Sequence, residues 1–287
     1  MSEYVFPPKE NYLDRIYGVK KPVIGMVHLR PLPGAPHFQS DGMQEAIDWA
    51  LRDAEALKKG GVDGIIIENA WDIPFSKPED IGYETVAAMT AIAERLKLEC
   101  DLPIGINCLA NGAIQGLAVA KAAELPFVRV NQWVNAYVAN EGLVEGPSAK
   151  AMRYRSLIKG EEIKVFTDVH VKHGSHSIVA DRSLADQTHD NIFFDSDVLI
   201  ATGTRTGNET ELEEVRGIKD NTTLPVIIGS GMTENNAEKI LQVADGCIIG
   251  SYLKENHQWW KPVEQSRVER FMKAVNKLRY EQISHEK

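Results

Sequence analysis

Asp168, His170 and Lys172 occupy alternate positions in and just beyond one apolar run, residues 163–171. In an extended chain that spacing puts the three side chains on one face, with Val165, Val169 and Val171 on the other. A carboxylate and an imidazole so placed could serve as general base and orienting partner, or as two ligands of a divalent metal. Other apolar runs also end in polar residues: His28 and Arg30, Glu68 and Asn69, Asn107, Arg129 and Asn131, and Thr202. The same alternation turns Arg129 and Asn131 away from Val128 and Val130. Asp168 and His170 are therefore the central proton-moving candidates, with Glu68 as a further acid–base group. His28, Asn107, Arg129, Asn131, Lys172 and Thr202 are candidates for holding a substrate. Each taken alone reads as a hydrogen-bonded structural group. Together they point to function, because burying so many polar groups costs free energy unless they are paired or used. Glu68 and His28 would extend Asp168 and His170 into a ligand set for a divalent cation, although no compact metal motif is present. Lys172 lies beside His173 in a loop that also carries His176, and reads as a solvated or phosphate-contacting lysine rather than a Schiff-base amine.

A second signal is a pair of glycine-ended strands. Val226, Ile227 and Ile228 run into Gly229, Ser230 and Gly231, and Cys247, Ile248 and Ile249 run into Gly250 and Ser251. Such turns let backbone N–H groups converge on an anion, and Thr233 is placed to cap a helix through Ile240 whose dipole would help. Gly229, Ser230, Gly231, Gly250 and Ser251 are thus phosphate-binding candidates, with Gly203 and Thr204 adjoining.

These residues need a scaffold that brings strand ends together. Apolar runs at 23–29, 64–69, 103–108, 127–131, 163–171 and 197–202 precede the glycine-ended pair, and helical periodicity follows most of them. The stretch 43–59 shows it clearly, with Ala46, Ile47, Ala50, Leu51, Ala54 and Leu57 recurring at three and four before Gly60 and Gly61. Further helices are expected over 78–98, 114–124, 184–191, 209–219 and 262–280. Eight β-then-α units with no composition break predict a single (β/α)8 barrel over residues 1–287, with a lead-in over about 1–20. An open doubly wound sheet would want a glycine-rich fingerprint after the first strand, where this chain has Pro31, Pro33 and Pro36. In a barrel, strands seven and eight are the usual phosphate grip. The long connections 132–147 and 172–182 read as lids.

Bulk properties narrow the function classes. With 41 acidic and 32 basic residues among 287, the net charge of −9 argues against a nucleic-acid partner. No uncharged apolar stretch is long enough to span a membrane. The first residues lack a signal-peptide pattern, and three cysteines without metal spacing fit a reduced, cytoplasmic protein. Trp259 and Trp260 read as packing at the barrel edge or as a contact in a homo-oligomer.

The segment Pro22-Val-Ile-Gly-Met-Val-His-Leu-Arg-Pro-Leu-Pro-Gly-Ala-Pro resembles the opening signature of the BtpA/SgcQ family. Asp168-Val-His-Val-Lys-His, Thr202-Gly-Thr-Arg-Thr-Gly and Ala244-Asp-Gly-Cys-Ile-Ile-Gly-Ser-Tyr-Leu-Lys extend the likeness over about 17–278. The resemblance implies a ribulose-phosphate-binding type of barrel. It brings no catalytic residues with it, and its members divide between biogenesis of a photosynthetic membrane complex and sugar utilisation. Two classes follow. One is an enzyme acting on a phosphorylated metabolite, a sugar phosphate or nucleotide-like compound, by isomerisation, aldol-type cleavage or glycosyl-bond hydrolysis. The other is a non-enzymatic assembly or regulatory factor.

Overall fold

A computed structural model describes residues 9–203 and 210–285. Eight parallel strands close into a barrel in the order β1 (Val23–His28), β10 (Gly246–Ile249), β9 (Val226–Ile228), β8 (Val198–Ala201), β7 (Lys164–Asp168), β4 (Phe127–Val130), β3 (Ile104–Asn107) and β2 (Gly64–Glu68). Helices α2 (Gly42–Gly60), α3 (Tyr83–Glu99), α4 (Ala113–Ala122), α5 (Ser148–Leu157), α6 (Leu184–Phe193), α7 (Thr210–Lys219), α8 (Ala237–Leu241) and α9 (Gln265–His285) follow the strands in turn. The expected barrel is therefore the observed one.

Strand alternation sorts the apolar residues into two layers. Val128, Val130 and Val165 pack outward with the helices, while Ile24, Ile66, Phe127, Phe166, Ile200 and Ile227 fill the interior. Phe127 and Phe166, from the neighbouring strands β4 and β7, stack at 4.4 Å inside the barrel. Gly105 makes room for them: a Cβ there would stand 2.1 Å from the Phe127 ring. The lead-in forms α1 (Tyr12–Tyr17), which inserts Leu13 into the interior cluster from the N-terminal end of the strands. Burying that side chain contributes about 1.5–3 kcal/mol.

The same end is pinned by three aspartates, each just ahead of a strand. Asp63, Asp197 and Asp245 accept an N–H at the start of the preceding strand, from Val23 (2.7 Å), Val165 (2.8 Å) and Val226 (2.8 Å) respectively, Val165 being the second residue of β7. Arg279, Lys9 and Lys219 pair with these carboxylates in the same order. Strand-start donors that would otherwise be orphaned are thus satisfied.

Several expected elements differ in extent. The fifth barrel strand stops at Asp168, so His170 and Lys172 lie beyond the ladder and their alternation lapses. The connection 132–147 is not irregular; it holds a hairpin of β5 (Ala136–Ala139) and β6 (Gly142–Glu145). Val138 and Ser175 exchange backbone hydrogen bonds of 2.9 and 2.8 Å, which draws the loop after β7 onto that hairpin. Regular helix is reached only at Ala237, although Thr233 and Asn236 bond reciprocally as a capping box does and the Ala237 N–H reaches the Thr233 carbonyl at 3.0 Å.

Asp53 and Lys254 form an ion pair that the sequence reading did not identify. Asp53 sits on the buried face of α2, and both side chains are fully buried, with Nζ 2.7 Å from Oδ2. Val263 N–H donates to the other carboxylate oxygen at 2.9 Å. Lys254→Met should cost about 3–5 kcal/mol by leaving that carboxylate unpaired. The double change Asp53→Leu with Lys254→Met should cost markedly less in urea unfolding. Equal losses in both would show that the pair is not what the site requires.

Candidate functional site

At the C-terminal end of the barrel the interior turns polar. Arg129 projects inward from β4 and Asp168 from β7, and they meet in a two-point ion pair, Nε–Oδ1 3.0 Å and Nη2–Oδ2 2.9 Å. Asn131 Nδ2 donates to Asp168 Oδ2 at 3.2 Å. The pair is almost sealed from solvent, with side-chain exposures of 6% and 0%. Gly229 lies across the barrel from the guanidinium, where a Cβ would clash with Ile200 at 2.6 Å and meet Nη2 at 3.4 Å. Burial opposes the guanidinium charge, but Asp168 and Glu68 more than compensate and hold its pKa above the ordinary value.

Glu68 ends β2 beside this pair. Asn107 Nδ2 donates to its Oε2 at 2.7 Å, and His28 Nε2 lies 3.7 Å from Oε1. Burial raises the Glu68 carboxyl above the usual carboxylate range, against the opposing pull of Arg129 and Asn107. His28 moves the other way. Burial first, then the nearby Lys254 ammonium, lowers its imidazole from 6.5 to about 3. Its Nδ1 faces the Trp259 carbonyl at 2.9 Å, and a carbonyl can only accept. The neutral ring therefore carries its proton on Nδ1 and presents a bare Nε2 towards Glu68. The Trp259 ring meets His28 edge-on at 5.8 Å and Trp71 at 5.3 Å, forming one wall of the mouth. Two acceptors in this mouth, Asn107 Oδ1 and Asn131 Oδ1, are buried without a hydrogen-bond partner among the described residues.

Across the mouth lie the glycine-ended turns. Lys172 Nζ donates to Ser230 Oγ, and the Lys172 N–H reaches Thr202 Oγ1 at 3.2 Å, while the Thr202 hydroxyl donates to the His170 carbonyl at 2.9 Å. Among the described residues no acceptor takes the N–H groups of Ser230, Gly231 or Ser251. The Gly229 N–H is committed to Ala201 O at 2.7 Å, so Gly229 supplies space rather than a donor. Gly231 adopts φ 78°, a left-handed turn that suits glycine, and Asn236 Nδ2 holds its carbonyl at 2.9 Å. Gly250 stands beside His28, where a Cβ would come 3.4 Å from the ring. Gly203 closes the described segment at φ 67°, and Thr204 lies outside the described residues. The short α8 begins six positions past Gly231, so its dipole does not reach the turn.

Asp168 and His170 are brought into different settings. Asp168 is held by Arg129 and Asn131, whereas the His170 ring stacks on His176 at 3.8 Å, and His176 stacks on Tyr137 of the hairpin at 5.4 Å. His176 Nε2 also lies 2.7 Å from the Val171 carbonyl. Burial, with His176 adding to it, lowers the His170 imidazole to about 4. Arg30 lies outside the polar mouth, over the rings of Trp71 and Trp49. Among the described residues no group of three or more His, Cys, Asp and Glu side chains could hold a metal ion. No helix among them is long and apolar enough to cross a membrane. Sequence reasoning missed the orienting carbonyl of Trp259, which depends on a contact 231 residues away, and the stack on Tyr137. Asp53 had left a signal, falling on the Ala46, Ala50, Ala54 and Leu57 face of its helix.

A sequence model of the BtpA family matches residues 19–277. The chain belongs to the BtpA family. A protein of Archaeoglobus fulgidus is 41% identical over 264 residues, covering 90% of this chain and 99% of the relative. The photosystem I biogenesis protein BtpA of Synechocystis is 35% identical over 269 residues, covering 92% and 91%. Among solved structures, tryptophan synthase from M. tuberculosis superposes with a TM-score of 0.59 at 15% identity, covering 93% of this chain and 99% of that one. Thiamine phosphate pyrophosphorylase from Pyrococcus furiosus does so with a TM-score of 0.54 at 13% identity, covering 93% and 99%. N-(5'-phosphoribosyl)anthranilate isomerase from the same organism gives 0.54 at 11%, covering 90% and 99%. At such identities the structural likeness is one of fold.

The neutral imidazoles make stability depend on acid. In the unfolded chain they titrate near 6.5, whereas in the BtpA-family fold His28 stays neutral down to about 3. Below about pH 6.5 the unfolded state binds the extra proton, so stability falls as pH falls through this window. His28→Gln should flatten the decline between pH 6.5 and 4 by up to about 3 kcal/mol. Urea midpoints measured across that range check it, and parallel curves for the two proteins would contradict a neutral buried His28. Glu68 contributes to both curves alike.

Proposed function

We propose that this protein is an enzyme that moves a proton on a small phosphorylated metabolite bound at the C-terminal mouth of the barrel. The observation that carries the reading is the meeting of Lys172 with Ser230 at a turn offering the N–H groups of Ser230 and Gly231, with Ser251 in the turn after the adjoining strand β10. A cation and convergent N–H donors are what a phosphate requires. Names of proteins that share the fold, thiamine phosphate pyrophosphorylase and phosphoribosylanthranilate isomerase, support a phosphorylated ligand.

Roles for the side chains follow from their surroundings. Glu68, whose carboxyl burial raises above the usual carboxylate range, is the group placed to give and take a proton. Neutral His28 accepts at Nε2 and can hold a substrate hydroxyl or relay its proton. Asn107 and Asn131 hold unpaired carbonyl oxygens for donor groups such as sugar hydroxyls. Asp168 acts through Arg129: it fixes the guanidinium, whose Nη1 has no partner among the described residues and can meet a developing oxyanion. His170 and Thr202 position the loop that carries Lys172. Glycosyl-bond hydrolysis ordinarily uses two working carboxyl groups, whereas Asp168 is committed to Arg129 and leaves Glu68, which favours isomerisation or aldol-type cleavage.

A second reading, an assembly factor that keeps a ligand-binding barrel, is favoured by the likeness to the Synechocystis biogenesis protein. Under it, ligands bind but none turns over. Crystals soaked in sulfate should place an anion at the Ser230, Gly231 and Ser251 N–H groups, and an empty turn would sink the phosphate reading. In a screen of sugar phosphates, Glu68→Gln should lower kcat by about 10²-fold or more with KM little changed. Lys172→Ala should mainly raise KM. Turnover unaffected by Glu68→Gln would remove that residue from the chemistry.

A further inference from the structure

A cavity of about 370 Å³ shares Trp71 with the Trp71–Trp259 contact at the mouth. Its walls come from the loop between β1 and α2 (Arg30, Pro31, His37, Gln39), the first turns of α2 (Gly42, Glu45) and Trp71 after β2. The loop is stiff. Pro31, Pro33 and Pro36 fix its backbone, Asp72 takes the Leu32 N–H at 2.9 Å, and turns close at Ala35, Phe38 and Gly42.

The Arg30 guanidinium sits over the Trp71 ring at 4.5 Å and over the Trp49 ring at 5.0 Å. Its Nε and Nη2 both face Glu45 Oε1 at 3.1 Å. Those contacts orient the group and leave Nη1 without a partner among the described residues. Gln39 spends its amide Nε2 on the His37 carbonyl at 3.3 Å, which leaves its oxygen as an acceptor. The cavity therefore offers one charged donor and one carbonyl acceptor beside the side chains of Trp71 and Pro31, with the planar guanidinium itself laid over the Trp71 ring. A donor and an acceptor together complement an edge that carries an acceptor beside a donor, namely the C=O and N–H of a lactam or imide ring. The volume is within the range that takes a small planar ligand.

We propose that this cavity is the subsite for the end of the ligand remote from its phosphate, and that this end is an oxo-substituted planar heterocycle. The ligand class is then a nucleotide bearing a lactam or imide base, rather than a bare sugar phosphate. This rests on the phosphate site proposed above for the anionic end. The cavity itself uses none of the residues assigned to proton transfer.

Calorimetric titration of the intact protein with four probes separates the two ideas: ribose 5-phosphate, uridine, uridine 5'-monophosphate and adenosine 5'-monophosphate. Uridine 5'-monophosphate should bind about tenfold or more tighter than ribose 5-phosphate, the usual gain from seating one base on an aromatic wall. The adenine nucleotide, whose base lacks a carbonyl, should gain less. Arg30→Met should erase the advantage of the uridine nucleotide and leave ribose 5-phosphate binding unchanged, and Trp71→Leu should do the same if the variant folds. If ribose 5-phosphate binds and the uridine nucleotide gains nothing, the subsite is overturned while the phosphate site stands. If uridine binds in an Arg30-dependent way and ribose 5-phosphate does not bind, the subsite stands and the phosphate site falls. Binding of none of the four overturns both.

Discussion

The buried contact between Arg129 and Asp168 constrains the upper half of this barrel. Two charges removed from water are tolerated only when each is met by the other and their remaining hydrogen-bonding capacity is used. The demands spread outward from there. Asn131 turns its amide to the same carboxylate, and Gly229 lies against the guanidinium with no side chain, its close approach being to Ile200. Glu68 is set within the field of Arg129, so its carboxyl is shaped by both burial and that cation. A hydrophobic replacement could fill the space equally well, so retention of the pair argues for specificity at the mouth rather than for stability.

Around that fixed charge the mouth divides into two chemical halves. Under the proposed function, the barrel strands from β1 to β7 supply groups that hold or exchange protons, and the turns after β9 and β10 supply backbone donors with little side-chain bulk. The halves are linked by the loop after β7, since Lys172 crosses to Ser230 while Val138 and Ser175 bind the loop to the hairpin. Ring stacking from His170 through His176 to Tyr137 stiffens the same link. The proton-handling and anion-holding sides therefore share a single mechanical support.

Much of this was legible in the residues. The repeated alternation of apolar strand and periodic helix identified the barrel, because parallel buried strands and amphipathic helices leave different periods. Strand-end position placed Glu68, Asn107, Arg129 and Asp168 in one mouth, since parallel register aligns their levels: Glu68 pairs with Asn107, and Asn107 with Arg129. Alternation misled at His170, because nothing local reveals that the strand ends at Asp168 and the chain turns out to a hairpin. The glycine signal was read as a row of donors, yet Gly229 donates within the sheet and its role is steric, a distinction that only the neighbouring strand decides. The tautomer of His28 depends on the carbonyl of Trp259, and such distant pairings leave no periodic trace.

Leu13 and α1, described above as packing, also set the traffic through the molecule. With Leu13 buried in the interior cluster and Tyr17 lying edge-on to Phe127, one end of the barrel is corked. Among the described residues, the layer of Phe127 and Phe166 above it closes the axis. Under the proposed function, substrate and product then share the C-terminal mouth, and one must clear it before the other enters, beside the loop that carries Lys172.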